Sequence, residues 1–137
     1  MGLYLCVFAD NEEIEGVEVG GYSDFDFFRS AVTDLLEGGQ AGSRFPTFIL
    51  HSDCDGEWGP SDCKKLLEEL LSISREFKEL PAVEFRPGWQ KEVAKSFGLK
   101  PGTLFDCFID VDGEPLLERM ARLCEVAIQK ELPILFQ

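Results

Sequence analysis

The sequence predicts an α+β fold: one domain over residues 1–137, with a mixed, mostly antiparallel β-sheet packed against about four α-helices. Three observations predict it. Apolar runs of strand length stand near both ends of the chain, at residues 3–8 and 133–136, and in its middle, at 45–50. The stretches after Pro60 and Pro115 carry apolar residues three and four apart, the helical period. Strands and helices interleave without strict alternation, which favours one mixed sheet over a parallel one. With 137 residues and 45% hydrophobic content, the chain has enough apolar surface for a core of its own.

Taken in order, Leu3-Tyr4-Leu5-Cys6-Val7-Phe8 is continuously apolar and reads as a strand covered on both faces. Val17-Glu18-Val19 alternates, and a hairpin with the first strand is the economical pairing. Its connector would place Glu12, Glu13 and Glu15 in solvent at the tip. Ser23, with Asp26 three residues on, is a capping-box variant opening a helix that buries Phe25, Phe28, Val32, Leu35 and Leu36. Gly38-Gly39 stops that helix. Residues 45–50 follow as a buried strand.

Pro60 starts a helix that runs to about Glu79, with Cys63, Leu66, Leu67, Leu70, Leu71, Ser74 and Phe77 on one face. Pro81 ends it, and residues 82–85 suit a short edge strand. Trp89, Val93 and Phe97 mark a shorter helix closed by Gly98. Residues 104–109 fit either a strand or a buried connector. A last helix buries Leu116, Met120, Leu123, Ala127 and Ile128, and residues 133–136 close the chain as a strand.

Charge narrows the function classes. Thirteen basic residues stand against 26 acidic ones, a net of −13. Residues 1–60 hold 12 acids and only Arg29 and Arg44, a net of −10. Such a field repels nucleic acid and anionic membranes and speeds encounter with a basic partner. No apolar run reaches the roughly 18 to 20 residues that span a bilayer. The apolar N-terminus lacks a basic region and a small-residue cleavage site, so a cytoplasmic location is expected. Five cysteines without a Cys-x-x-Cys pair argue against a disulfide framework and against structural zinc.

Chemistry-bearing residues concentrate in His51-Ser52-Asp53-Cys54-Asp55-Gly56-Glu57-Trp58, which holds the only histidine and one of two tryptophans. Asp53-Cys54-Asp55-Gly56-Glu57 shares its pattern with Asp110-Val111-Asp112-Gly113-Glu114. Neither is an EF-hand loop, because glycine falls at the fourth position and the twelfth residue is Lys64 or Ala121. Asp-Gly turn chemistry accounts for the second turn without a ligand. His51 beside Ser52 is not a triad, since strand neighbours point to opposite faces. Gly38-Gly39-Gln40-Ala41-Gly42 follows a helix and so is no phosphate loop. An enzyme is not expected, and no metal or cofactor is assigned. The competing reading is a divalent-metal-binding module or hydrolase built on His51, Asp53, Asp55 and Glu57.

Met1-Gly2-Leu3-Tyr4-Leu5-Cys6-Val7-Phe8 with Gly16-Val17-Glu18-Val19-Gly20, Gly42-Ser43-Arg44-Phe45-Pro46-Thr47 and the motif from His51 to Trp58 resemble Immunity protein 70. This is a family of small immunity proteins in bacterial polymorphic toxin systems, and the likeness is densest in residues 1–60. The resemblance implies a protein that binds and neutralises a cognate toxin in the producing cell, with no catalytic residues of its own. Many such toxins are basic nucleases, and an acidic protein covers such an active site by mimicking phosphates. On this basis Asp53, Asp55, Glu57 and Trp58, with His51 beside them, are the expected partner contacts. Glu12, Glu13 and Glu15 would steer the encounter.

Overall fold

In the computed structural model, which describes residues 2–52 and 55–137, the chain enters its sheet at once. Strands β1 (Gly2–Ala9) and β2 (Glu12–Gly21) form the expected antiparallel hairpin. Asp10 and Asn11 turn it with φ of 51° and 66°, the positive pair that a two-residue hairpin turn requires. The helix α1 (Tyr22–Leu36) follows directly. Its capping acid is Asp24, not Asp26: the Asp24 carboxylate accepts the Gly21 N–H at 2.7 Å, two residues earlier than the sequence suggested.

The middle of the chain departs from expectation. Residues 45–50 hold a short helix, α2 (Pro46–Ile49), and no strand. Its apolar content suits a buried strand, but three charged or rigid groups fix it otherwise. Pro46 presets the helical φ at the first position. The Glu69 carboxylate accepts the Thr47 and Phe48 N–H groups at 3.2 and 2.9 Å. The Arg29 guanidinium donates to the carbonyls of Phe48, Ile49 and His51 at 3.2, 3.2 and 2.8 Å. Both ends of a single turn are thus satisfied by distant side chains.

Strand β3 (Glu57–Trp58) leads into α3 (Pro60–Phe77), which starts at Pro60 as expected and stops two residues early. Residues 82–85 form no strand; the Val83 N–H and C=O both meet the Cys107 thiol, at 3.3 and 3.1 Å. Helix α4 (Trp89–Phe97) ends at Gly98 in the left-handed conformation. Residues 104–109 are a connector opened by a 3-10 turn, Leu104–Cys107. Helix α5 (Leu116–Lys130) and strand β4 (Ile134–Phe136) complete the fold.

The sheet order is β2-β1-β4-β3, and every pairing is antiparallel. Helices α1, α3 and α5 pack over the face carrying Leu3, Leu5, Val7, Val17, Val19, Trp58, Ile134 and Phe136. Phe25 and Phe28 of α1, Leu66, Leu70 and Phe77 of α3, and Leu117, Met120 and Leu123 of α5 complete that core. Each such side chain contributes roughly 1.5–3 kcal/mol of burial.

Candidate partner-binding face

The opposite face of the sheet is the structure's main departure from the sequence reading. The continuous apolar run of β1 implied cover on both sides; helices cover one. Side chains alternate along a strand, so Tyr4, Cys6 and Phe8 point away from Leu3, Leu5 and Val7. Tyr4, Phe8 and Leu135 are half-buried yet stand apart from the hydrophobic core and its packed margin.

Strand register sets what lies beside them. Tyr4 stands opposite Glu18, and Phe8 opposite Glu13. Cys6 stands between Gly16 on one side and Leu135 on the other, and Leu135 stands opposite Glu57. Directly paired residues share a face. The outer face is therefore a row Gly16–Cys6–Leu135–Glu57, flanked by Tyr4 with Glu18 and by Phe8 with Glu13. It brings Glu13 of the hairpin and Glu57 of the middle loop, 44 positions apart, onto one surface. The four strands hold five glutamates (Glu12, Glu13, Glu15, Glu18 and Glu57) and no lysine, arginine or histidine.

Tyr4 covers the centre of this face. A Cβ on Gly16 would collide with the Tyr4 ring and hydroxyl, so the hydroxyl end of the ring lies over the glycine. Beneath this layer Cys6 is fully buried, and its thiol is pushed up to about 11 by burial and the Glu13 charge. The Tyr4 phenol is pushed up to about 12 by burial, by a hydrogen bond to Glu13 and by the charges of Glu13 and Glu18. Both thiol and phenol keep their protons near neutral pH.

The residues singled out from sequence separate into three groups. Glu57 and Glu13 reach the outer face; Glu12, at the hairpin turn, and Asp55 are exposed close to it. Trp58 is buried, and His51 and Glu15 are half-buried and engaged within the protein. Trp58 pairs with Ile134 on the core side, is 1% exposed, and donates its indole N–H to the Thr47 carbonyl at 3.0 Å. It is a core residue, not an exposed anchor. The His51 ring stacks on Phe136 with centroids 4.4 Å apart, and lies 4.8 Å from Trp58. Its Nε2 and Nδ1 meet the Glu57 and Ser52 carbonyls at 2.8 and 2.9 Å. This geometry fastens the loop. Asp53 lies outside the described residues.

Glu15 turns toward Arg119, 3.7 Å away, instead of toward solvent. Arg119 also holds Glu114 at 2.6 Å, Asp110 at 3.2 Å and the Gly16 carbonyl at 2.7 Å. Asp110 is 1% exposed, and its Oδ1 accepts the Asp112 and Glu114 N–H groups. The second Asp-x-Asp-Gly-Glu turn is thus a self-bonded turn docked by α5 onto the edge of β2. Among the described residues, no three His, Cys, Asp or Glu side chains are grouped as a metal would require.

Sequence reasoning missed Tyr4, Phe8, Glu18 and Leu135. One signal was present: in Val17-Glu18-Val19, a glutamate between two core valines must face away from the core. Comparison with known proteins agrees with the resemblance carried by these segments. A model of the Immunity protein 70 family matches residues 3–136, nearly the whole chain. No curated protein and no solved structure matches. The chain belongs to the Immunity protein 70 family.

Proposed function

We propose that this family member binds a cognate toxin through the outer face of its sheet and neutralises it by covering the toxin's active site. One observation carries the reading: the chain offers a helix-free sheet face on strands that bear five glutamates and no basic residue. Aromatic and aliphatic side chains form its centre and carboxylates its rim, the arrangement of an interface with a desolvated middle and a polar edge. The sign of the rim selects a basic partner. A nuclease that grips phosphates is one such partner, with the glutamates standing where phosphates would.

In this reading Glu13, Glu18 and Glu57 contact the toxin, with Tyr4, Phe8 and Leu135 at the centre. Asp55 and Glu12 extend the acidic rim. The buried Trp58 and the half-buried His51 fix the strand that presents Glu57. The protein works in the cytoplasm of the producing cell, where an intracellular toxin would act, and carries out no catalysis.

Co-expression with the neighbouring reading frame tests it. That product should be toxic alone, tolerated beside this protein, and recovered in complex with it. The triple variant Glu13→Lys, Glu18→Lys and Glu57→Lys should lose both protection and complex while remaining folded. Retention of both would remove the outer face from the account.

A further inference from the structure

We infer that the flat Tyr4 ring, between Glu13 and Glu18 on the open sheet face, is the seat for an arginine side chain of the partner. The inference rests on the reading that this face meets a basic protein, and it names what is recognised there.

The argument starts from Gly16. Any other residue would force the Tyr4 ring upright, because its Cβ would overlap the ring and hydroxyl. With glycine, the hydroxyl end of the half-buried Tyr4 ring rests over Gly16, and part of the ring stays open to solvent. Glu18 stands opposite Tyr4 in the strand register, and the charge of Glu13, on the same face opposite Phe8, also acts on the phenol. An aromatic face thus lies between two carboxylates.

A cation over such a ring is drawn by the π-system and by both carboxylates together. The guanidinium fits better than an ammonium: it is planar, stacks on a flat ring, and its N–H groups diverge toward carboxylates on two sides. The protein's own arginines use the same geometry, with Arg29 over Phe25 at 4.6 Å, Arg44 over Phe45 at 4.8 Å and Arg86 over Phe27 at 4.9 Å. Among the described residues, Tyr4 has no such cation of its own.

The test uses the full chain and two peptides, hexa-arginine and hexa-lysine, at low salt. Titration followed by NMR should shift the Tyr4 ring and Gly16 amide signals, with hexa-arginine bound several-fold more tightly than hexa-lysine. Tyr4→Leu should weaken hexa-arginine by about three- to ten-fold, and Tyr4→Phe should keep most of the affinity. Gly16→Ala guards against a folding artefact, because it keeps Tyr4 but displaces the ring; it should weaken binding as Tyr4→Leu does. Hexa-arginine that shifts other residues only, or that binds Tyr4→Leu and Gly16→Ala like the parent, would overturn the seat. The toxin complex separates the two ideas. A toxin held equally by parent and Tyr4→Leu, yet lost by the glutamate reversals, would end this inference and leave the proposed function standing.

Discussion

Glu57 and Trp58 are consecutive in the chain and face opposite sides of the sheet: Glu57 stands exposed opposite Leu135, while Trp58 is sealed against Ile134 and Phe136. The tryptophan therefore acts on stability, and in the proposed function the glutamate acts on recognition. Trp58→Ala should cost about 3–5 kcal/mol, the range for emptying a large aromatic site. Trp58→Phe should cost far less, losing mainly the hydrogen bond to Thr47. Chemical denaturation measures both. At temperatures where Trp58→Phe is fully folded, its toxin dissociation rate should match the parent's, whereas Glu57→Lys should change binding at unchanged stability.

Arg29 is the least replaceable cation in residues 1–60. Its guanidinium closes the carbonyl end of α2 with three bonds and also lies on the Phe25 ring. Arg29→Met keeps much of the stem but leaves those carbonyls without a charged donor, at about 1–3 kcal/mol. Amide exchange should locate the damage. Protection should fall first at Ile49 and Leu50, whose N–H groups close α2, and fall less in α5.

Much of this architecture is written locally in the chain. The hairpin, the helix starting at Pro60, the stop at Gly98 and the last helix follow from period and punctuation. Residues 45–50 do not, because Glu69 and Arg29 supply both caps from 19 to 22 positions away and turn an apolar strand pattern into a helix. The outer face was half legible. Its glutamates were visible as an acidic excess, but their assembly depends on β4, the last strand, inserting between β1 and β3. Trp58 was misplaced for a related reason: a two-residue strand gives too little alternation to tell which of Glu57 and Trp58 faces the core.

Acid should loosen the fold through Asp24 and Glu37. Burial alone would raise the Asp24 carboxyl; hydrogen bonds from Gln90, Trp89 and the Gly21 N–H, with the Arg86 charge, outweigh it and hold Asp24 below its ordinary value. Burial likewise opposes Glu37, and the N–H groups of Arg44, Phe45 and Gly42 with the Thr33 hydroxyl overcome it. A folded value below the unfolded one binds fewer protons in the native state. Stability from these groups is complete above the unfolded carboxylate range and is lost as pH falls through the lower, folded values. Asp110 has the opposite sign: burial dominates and raises it, so it favours the fold on the acid side of its raised value. Asp24→Asn and Glu37→Gln should each flatten the fall of denaturation midpoint below about pH 5. Asp110→Asn should not.

The hairpin glutamates should divide by kinetic effect. Glu12 and Glu13 are exposed, with Glu13 on the open face, whereas Glu15 is engaged with Arg119 at the sheet's edge. Reversing Glu12 and Glu13 to lysine changes the local field by four charges and should slow toxin association by about ten-fold at low salt, with the difference shrinking as salt rises. Glu15→Gln also removes a negative charge, but one turned toward Arg119 at the sheet's edge. Its association rate should stay within about two-fold of the parent's, and its main effect should be a loss of stability of about 1 kcal/mol or less. Stopped-flow binding across a salt series resolves the two. A Glu15→Gln chain that associates as slowly as the double reversal would show that net charge, not the placement of glutamates on the outer face, guides the partner in.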